Sequence, residues 1–175
     1  MDITKLAAGT NPPHDINVIV EIPFGGPPVK YELDKQTGLL FVDRILQTSM
    51  HYPGNYGFIP QTLSEDGDPC DVLITGIIPV VPGSVVRCRP VGALLMEDEH
   101  GPDEKILAVP ISAVQASTSH IQSYRDLPAG FCAQVAHFFE HYKDLEEGKW
   151  VKAGSWVDVD EAKALISSGI ARARA

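Results

Sequence analysis

The densest group of chemically reactive side chains in the sequence is a short segment between residues 66 and 71. It reads Asp-Gly-Asp-Pro-Cys-Asp, so three carboxylates fall within six residues, and Gly67 and Pro69 favour a sharp turn between them. Carboxylates crowded in this way repel one another unless a hard cation lies among them. Two interpretations are open: a site for a divalent cation, or a solvated acidic turn, which is the commoner case for such a segment alone.

A calcium-binding loop of the EF-hand type can be tested directly against this turn. Such a loop needs an oxygen ligand at its fifth position, glycine at its sixth and glutamate at its twelfth. The sequence has Cys70, Asp71 and Ile77 at those positions. The acidic turn is therefore not an EF-hand.

A second acidic group follows about 30 residues later. Glu97, Asp98 and Glu99 precede a turn at residues 100–102, and Asp103 and Glu104 follow it. Alone, this pattern is most often an exposed hairpin tip. Two aspartate-rich turns at strand ends in one small domain nevertheless favour a shared metal site.

A third group is cationic and aromatic. Lys30 and Arg44 fall on neighbouring predicted strands, Tyr52 and Tyr56 flank a predicted tight turn over residues 52–57, and Tyr142 precedes a lysine at the end of a predicted helix. For any one of these residues, a solvated strand face or core packing is the simpler interpretation. Together they could form a cradle of fixed cations and phenolic donors around a phosphate.

The elements that must position these residues follow from the hydrophobic pattern. Short alternating runs and frequent glycine and proline favour strands joined by tight turns, and two apolar stripes at helical spacing favour two helices. Because the strands precede the helices, we expect an α+β fold with a mostly antiparallel sheet or barrel. The predicted strands span 17–23, 29–33, 39–44, 72–78, 85–96 and 105–109, and the predicted helices span 128–142 and 159–173.

Composition limits the class of protein. The 175 residues are 44% hydrophobic and 21% charged, with a formal net charge of −9, which fits one folded domain over residues 1–175 and argues against nucleic-acid or anionic membrane partners. No apolar run is long enough for a membrane span, and the first residues do not resemble a secretory signal. Three cysteines without a C-x-x-C pair suit free thiols in a reducing cytoplasm.

The motifs taken together closely resemble the soluble family I inorganic pyrophosphatases of the bacterial type. The resemblance covers about residues 10 to 165. Cys70 departs from the larger aliphatic residue usual there, and the last ten residues match poorly, so we expect nothing catalytic in them. The matching segments are Glu21-Ile22-Pro23, Lys30-Tyr31-Glu32, Phe41-Val42-Asp43-Arg44, Tyr52 to Gly57, Asp66 to Val72, Pro82 to Val85, and Ala136 to Lys143.

The resemblance implies a small closed OB-like antiparallel β-barrel flanked by two main α-helices. It also implies Mg²⁺-dependent hydrolysis of inorganic pyrophosphate to two orthophosphates by direct attack of a metal-activated water, in a cytoplasmic homohexamer. Mn²⁺ is expected to substitute for Mg²⁺, and Ca²⁺ is expected to inhibit. No nucleic-acid or membrane partner is expected.

The resemblance further implies a role for each site residue. Asp68 is the expected general base, and Tyr52 is expected to hydrogen-bond a carboxylate or the nucleophile. Among the expected site residues the acidic side chains outnumber the basic ones, so the metal-free site should repel a polyanion. We therefore infer that metal binding precedes substrate binding. The expected metal ligands are Asp66, Asp71, Asp103, Asp98, Glu32 and Glu21, the last mostly through water, and the expected phosphate-binding residues are Lys30, Arg44, Tyr56, Lys105, Tyr142 and Lys143.

Two other functions fit the same fold. An OB-fold module that binds oligonucleotides would need basic and stacking residues on the barrel face, where this chain has mainly carboxylates. A catalytically silent metal-binding or scaffold protein would have lost Asp68, Lys30 or Arg44, and all three are present. Phosphate release from pyrophosphate with and without Mg²⁺ distinguishes these functions from hydrolysis.

Overall fold

The computed structural model describes residues 3–175, so Met1 and Asp2, with which the predicted domain begins, lie outside the described residues. Within residues 3–175, the regular structure consists of eight strands and two α-helices, together with short 3₁₀ turns. The strands are β1 (Ile16–Ile22), β2 (Val29–Leu33), β3 (Leu40–Ile45), β4 (Asn55–Phe58), β5 (Asp71–Ile74), β6 (Val85–Asp98), β7 (Gly101–Pro110) and β8 (Val151–Val157), and the helices are α1 (Ala129–His141) and α2 (Val159–Arg172).

Five strands close into a ring. Their order is β1-β4-β5-β7-β6, and β6 pairs again with β1 to complete the circle. The strand β8 extends the sheet beyond β6, and β2 and β3 form a separate antiparallel hairpin. This arrangement confirms the predicted small barrel with two flanking helices, and it contains one parallel pair, β5 with β7.

Two strands were not predicted. The segment interpreted as a tight turn at 52–57 overlaps β4. The strand β8 lies between the two helices, so the order of strands first and helices second is wrong for the C-terminal part. The predicted strand over 72–78 ends at Ile74 because Gly76, with a φ of 135°, turns the chain.

The core has two parts that share the same strands. Alternate residues of β5 and β7 point to opposite sides: Val72 and Ile106 pack with Ile166 of α2, and Leu73 and Leu107 pack on the side of α1. A pair of parallel strands buried on both faces reads as a continuous apolar run, as it does here. The strands that carry Asp71 and Lys105 are therefore held between the two helices.

The helix ends match the sequence signals. Helix α1 begins directly after Pro128, and the carboxylate of Asp158 accepts a hydrogen bond from the Val159 N–H at the start of α2, at 2.8 Å. The stripe predicted for α1 is buried at Val135 and Phe138. Within residues 3–175, no helix has the length and apolar character needed to cross a bilayer.

Candidate active site

A cleft of 470 Å³ opens between the β2–β3 hairpin and the barrel. Six of the residues singled out in the sequence line it, and the remaining predicted residues lie outside its wall. Leu33, Asp34, Lys35, Gln36, Phe41, Phe58 and Pro69 complete the lining. The six predicted residues are Glu21, Lys30, Glu32, Tyr56, Asp68 and Asp71.

Strand register explains how distant residues meet. In the parallel pair β5–β7, Asp71 lies opposite Lys105, and in the antiparallel hairpin β2–β3, Lys30 lies opposite Arg44. Asp103 and Lys105 are two residues apart on β7, so their side chains leave the same face of the strand. These pairings bring charged groups from separate parts of the chain to one end of the barrel.

One group of charges surrounds Lys105, which is buried. Its Nζ donates to Asp71 Oδ2 at 2.6 Å and to Asp103 Oδ1 at 2.7 Å. Burial opposes the charge on Lys105, but the two carboxylates outweigh it and raise the pKa of Lys105 well above its usual range. Burial, together with the nearby carboxylates of Asp71 and Asp98, raises the pKa of Asp103 in spite of its bond with Lys105.

A second buried pair joins the β6–β7 hairpin to the end of α1. Lys143 Nζ donates to Asp98 Oδ2 at 2.8 Å and lies 3.6 Å from Glu99 Oε1. Burial opposes ionisation of Asp98, but hydrogen bonds from Lys143 and from the His100 N–H outweigh it and lower the pKa of Asp98. The acidic hairpin is thus not an exposed tip, because Asp98 itself is buried.

The predicted phosphate-binding cations of the hairpin already have carboxylate partners. Lys30 Nζ lies 2.5 Å from Glu32 Oε1 and 3.4 Å from Asp43 Oδ2, and Arg44 Nη1 lies 3.3 Å from Glu146 Oε2. Burial opposes the charge on Lys30, but these carboxylates raise the pKa of Lys30 above its usual value. Lys30 therefore stays charged, and each of the two cations already has a carboxylate close by.

The tyrosines form an aromatic group beneath the charges. The rings of Tyr52 and Tyr56 lie 5.2 Å apart, those of Tyr52 and Tyr142 lie 6.5 Å apart, and Phe138 packs against Tyr52 at 4.6 Å. Burial raises the pKa of Tyr52 and Tyr56 well above the usual value. Both phenols therefore stay protonated and can donate hydrogen bonds. Each of these tyrosines can thus pack in the core and also serve the site.

The acidic turn is only partly gathered into the cleft. Asp66 is exposed, and its Oδ1 accepts a hydrogen bond from the Asp68 N–H at 3.0 Å instead of lining the cleft. Asp68 does line the cleft, with its side chain 80% exposed and Oδ1 3.8 Å from Lys35 Nζ. Cys70 is buried, where burial raises the pKa of its thiol, as expected for a packed apolar group.

Glu21 is the most perturbed carboxyl of the cleft. It is buried on β1 and accepts a hydrogen bond from the Leu33 N–H at 2.7 Å. Burial raises the pKa of Glu21 to about 8, and the negative charges of Asp71 and Glu32 add to that effect. Such a carboxyl ionises readily only when positive charge arrives nearby.

The donor set suits a hard divalent cation. Among residues 3–175, no three side chains of the His, Cys, Asp and Glu types stand close enough to hold an ion by themselves. Mg²⁺ usually keeps several waters and takes only one or two protein carboxylates, the rest coming from substrate phosphates. Glu21 and Asp103, which carry raised pKa values, offer oxygen ligands whose ionisation a cation would favour. The residues therefore fit Mg²⁺, although the expected trio of Asp66, Asp71 and Asp103 is not assembled.

Three charged residues that lie beside predicted site residues were not themselves predicted from the sequence. Lys35 lies beside Asp68, Asp43 beside Lys30 and Glu146 beside Arg44. Lys35 follows the end of β2, and Glu146 follows the end of α1, so neither falls under a periodic pattern. Asp43 lies next to Arg44 on β3. This position beside a predicted phosphate-binding residue was the one signal in the sequence that could have identified Asp43.

Comparison with known proteins settles the family. A family model described as inorganic pyrophosphatase matches residues 18–174. The chain is 56% identical over 172 residues to an inorganic pyrophosphatase of Caulobacter vibrioides and 58% identical over 172 residues to one of Agrobacterium fabrum, in each case covering 98% of this chain and 97% of the relative.

The chain belongs to the inorganic pyrophosphatase family. This membership confirms the family suggested by the sequence motifs and the predicted enzyme class, an inorganic diphosphatase. The fold agrees as well: the crystal structure of inorganic pyrophosphatase from Thermus thermophilus superposes with a TM-score of 0.94 at 42% identity, and the match covers 100% of both chains. The cleft described above lies within the segment that the family model matches.

Proposed function

We propose that this chain hydrolyses inorganic pyrophosphate to two orthophosphates by direct attack of water, with Mg²⁺ as its cofactor. The observation that supports this most is the cleft itself, which joins Asp68, Asp71 and Glu21 to the cation Lys30 in a member of the pyrophosphatase family. Phosphoryl transfer depends mainly on positioning and on neutralising charge, and this wall provides groups of both signs.

The chain's cations hold the substrate in this proposal. Lys30 and Arg44 on the hairpin would bind the phosphate oxygens from one side, and Lys105 and Lys143 from the barrel side. Each now pairs with a carboxylate, so an incoming polyanion would replace those partners at little cost in desolvation. The phenol groups of Tyr56 and Tyr142 would donate hydrogen bonds to the same oxygens.

The carboxylates hold the cofactor. Mg²⁺ would neutralise phosphate charge and lower the pKa of a bound water toward neutrality. Its proposed ligands are Asp71, Asp103 and Asp66 at one position and Asp98 and Glu32 at another, with Glu21 acting mostly through water. Mn²⁺ should support activity, and Ca²⁺ should inhibit because it takes more ligands at longer distances, about 2.3–2.6 Å. Initial rates with each ion as the sole cation check this order.

Asp68 accepts the proton of the attacking water in this proposal. Its carboxylate lies at the cleft mouth, exposed enough to meet a water, and Lys35 holds it within 3.8 Å. General-base catalysis of this kind contributes about 10²- to 10⁴-fold to a rate. Tyr52 would support the reaction by donating a hydrogen bond to a carboxylate or to the nucleophile.

The single domain over residues 1–175, the homohexamer and the cytoplasmic location also belong to this proposal. The charge of −9 and the carboxylate-rich cleft favour a small polyanion brought in with cations over nucleic acid. The silent-scaffold alternative is disfavoured because Asp68 and Lys30 both line the cleft.

Initial-rate assays test the reaction class. In excess Mg²⁺, the protein should release two phosphates from each pyrophosphate and leave p-nitrophenyl phosphate untouched. Acid quenching during turnover of ³²P-labelled pyrophosphate should trap no label on the protein, because water attacks directly. Equal rates with the monoester, or a trapped phosphoprotein, would contradict the proposal.

A further inference from the structure

The segment that leads into the acidic turn is fastened to the last turn of α2. The Leu63 N–H donates to the Gly169 carbonyl at 3.0 Å, and the Leu63 carbonyl accepts from Arg172 Nε at 2.7 Å. Both polar groups of one backbone residue are thus bonded to a helix more than a hundred residues away in the chain. The helix end fixes Leu63 in two directions at once.

Hydrogen bonds connect the residue after Leu63 directly to the acidic turn. The Ser64 N–H donates to the Asp68 carbonyl at 2.6 Å, and the Gly67 N–H donates to the Ser64 carbonyl at 3.2 Å. Ser64 Oγ also donates to Glu104 Oε1 at 3.2 Å, which ties the turn to β7. A shift of Leu63 would therefore carry Asp68 with it.

Two further observations show how closely the helix and the turn fit. A Cβ atom added to Gly169 would lie 2.5 Å from Cys70 Sγ and 3.4 Å from the Leu63 carbonyl oxygen, so the helix approaches as near as a glycine allows. Gln61, just before this segment, has a φ of 56°, a left-handed conformation that L-residues rarely adopt. Contacts from the surrounding structure must hold the chain in this path.

We infer that Arg172 is a positioning residue for catalysis: through Leu63 it fixes where Asp66 and Asp68 lie relative to Asp71. Arg172 does not line the cleft and touches no proposed ligand. Besides its bond to the Leu63 carbonyl, its Nη1 lies 4.0 Å from Glu65 Oε1, so it acts through the segment that leads into the turn. It lies among the last ten residues, where the sequence led us to expect nothing catalytic. The inference rests on the proposed roles of Asp68 and Asp66.

The test compares Arg172→Gln with Arg174→Gln, a matched loss of charge two residues away on the same helix end. Among the described residues, the Arg174 side chain makes no hydrogen bond or ion pair. Outer partners of this kind typically affect activity or metal affinity by about 10- to 100-fold. We expect Arg172→Gln to lower kcat by about 10-fold or more and to raise the Mg²⁺ requirement, with KM for pyrophosphate little changed.

Hydrogen exchange supplies a readout independent of activity. In Arg172→Gln, the peptide spanning residues 62–70 should exchange faster while the barrel strands keep their protection. Arg172→Lys, whose ammonium can still donate to the Leu63 carbonyl, should recover part of kcat, and it remains informative if the Gln variant folds poorly.

The possible outcomes distinguish a wrong proposed function from a wrong role for Arg172. If the wild-type protein releases no phosphate from pyrophosphate, the proposed function is wrong. If it does, and Arg172→Gln matches Arg174→Gln in kcat and Mg²⁺ requirement, the inference is overturned. Faster exchange throughout the barrel, with kcat per folded molecule unchanged, would also overturn it, because Arg172 would then be a stabilising residue only.

Discussion

Asp68 and Asp71 lie three residues apart but in different environments. The Asp68 side chain is 80% exposed at the cleft mouth, whereas that of Asp71 is 28% exposed and accepts a hydrogen bond from Lys105. An exposed carboxylate can meet a water molecule, and a carboxylate fixed by a buried lysine is suited to a defined ligand position. The two residues should therefore fail differently when they are changed.

Asp68→Asn removes a base but keeps the shape of the side chain. We expect kcat to fall by about 10²- to 10⁴-fold and to stay low at any Mg²⁺ concentration, with a pH optimum displaced upward because hydroxide then forms without help. Asp71→Asn should instead raise the Mg²⁺ concentration needed for half-maximal activity, and part of its activity should return at high Mg²⁺.

Magnesium titrations of both variants at two pH values distinguish these roles. If Mg²⁺ rescues Asp68→Asn as well as it rescues Asp71→Asn, then Asp68 is another ligand and not the base.

Glu21 predicts a pH dependence of stability in the metal-free protein. Burial raises its folded-state pKa from 4.5 to about 8, so the folded state binds a proton that the unfolded state releases above pH 4.5. Stability should therefore fall as pH rises from about 5 to 8, by a few kcal/mol, since one pKa unit corresponds to about 1.4 kcal/mol. Glu21→Gln, which stays neutral and can still accept from the Leu33 N–H, should lose this dependence.

Urea unfolding at pH 5 and pH 8 measures the effect. Glu161→Gln, which removes an exposed carboxylate on α2, serves as the control. Parallel stability curves for wild type and Glu21→Gln across this range would show that burial does not set the charge state of Glu21.

For individual residues, the sequence predicted which ones line the cleft better than it predicted which residues they contact. Alternation along β2 placed Lys30 and Glu32 on one face, and both line the cleft. The partnership of Arg44 with Glu146 could not be read from the sequence, because it joins a strand to a loop a hundred residues later. Such contacts depend on how the hairpin lies against the end of α1.

Among the secondary-structure elements, β4 shows why local sequence signals can mislead. Proline and glycine between residues 53 and 57 indicate a turn, yet Asn55–Phe58 pairs with both β1 and β5. Gly57 lies opposite Val20, and a Cβ there would come within 1.8 Å of the Ile19 carbonyl oxygen. Glycine here permits close strand approach and does not mark a turn, a distinction visible only in the packed barrel.

Gly57→Ala should therefore disrupt the β1–β4 pairing. The added methyl group would meet backbone atoms that cannot rotate away, so we expect a loss in stability of about 3 kcal/mol or more, measured by thermal unfolding. Gly130→Ala, a matched change on α1 where a Cβ meets nothing within 4 Å, should leave stability unchanged or raise it by up to about 1 kcal/mol. Equal effects of the two substitutions would contradict the close approach at Gly57.

For the whole molecule, we propose that the histidines of α1 face a contact between subunits of the proposed hexamer. His137 and His141 lie one helical turn apart with ring centroids 4.5 Å apart, and His141 Nδ1 lies 2.8 Å from Asp144 Oδ2. Aspartates at both histidine positions would add to the charges of Glu140 and Asp144. The double variant His137→Asp, His141→Asp should therefore dissociate at neutral pH into trimers or smaller species, as light scattering would report.

Ala164→Asp with Ser168→Asp is the matched control, two exposed positions one turn apart on α2. It should leave the assembly intact. A stable hexamer in the histidine double variant would show that this face of α1 lies outside the contact.

The reaction proposed for this chain is Mg²⁺-dependent hydrolysis of pyrophosphate. The most direct test is phosphate release from pyrophosphate by the wild-type protein, first after removal of divalent cations and then after Mg²⁺ is restored. We expect almost no phosphate release without Mg²⁺ and two phosphates per pyrophosphate with it. Equal release in both conditions would contradict the Mg²⁺ requirement, and no release in either would contradict hydrolysis of pyrophosphate.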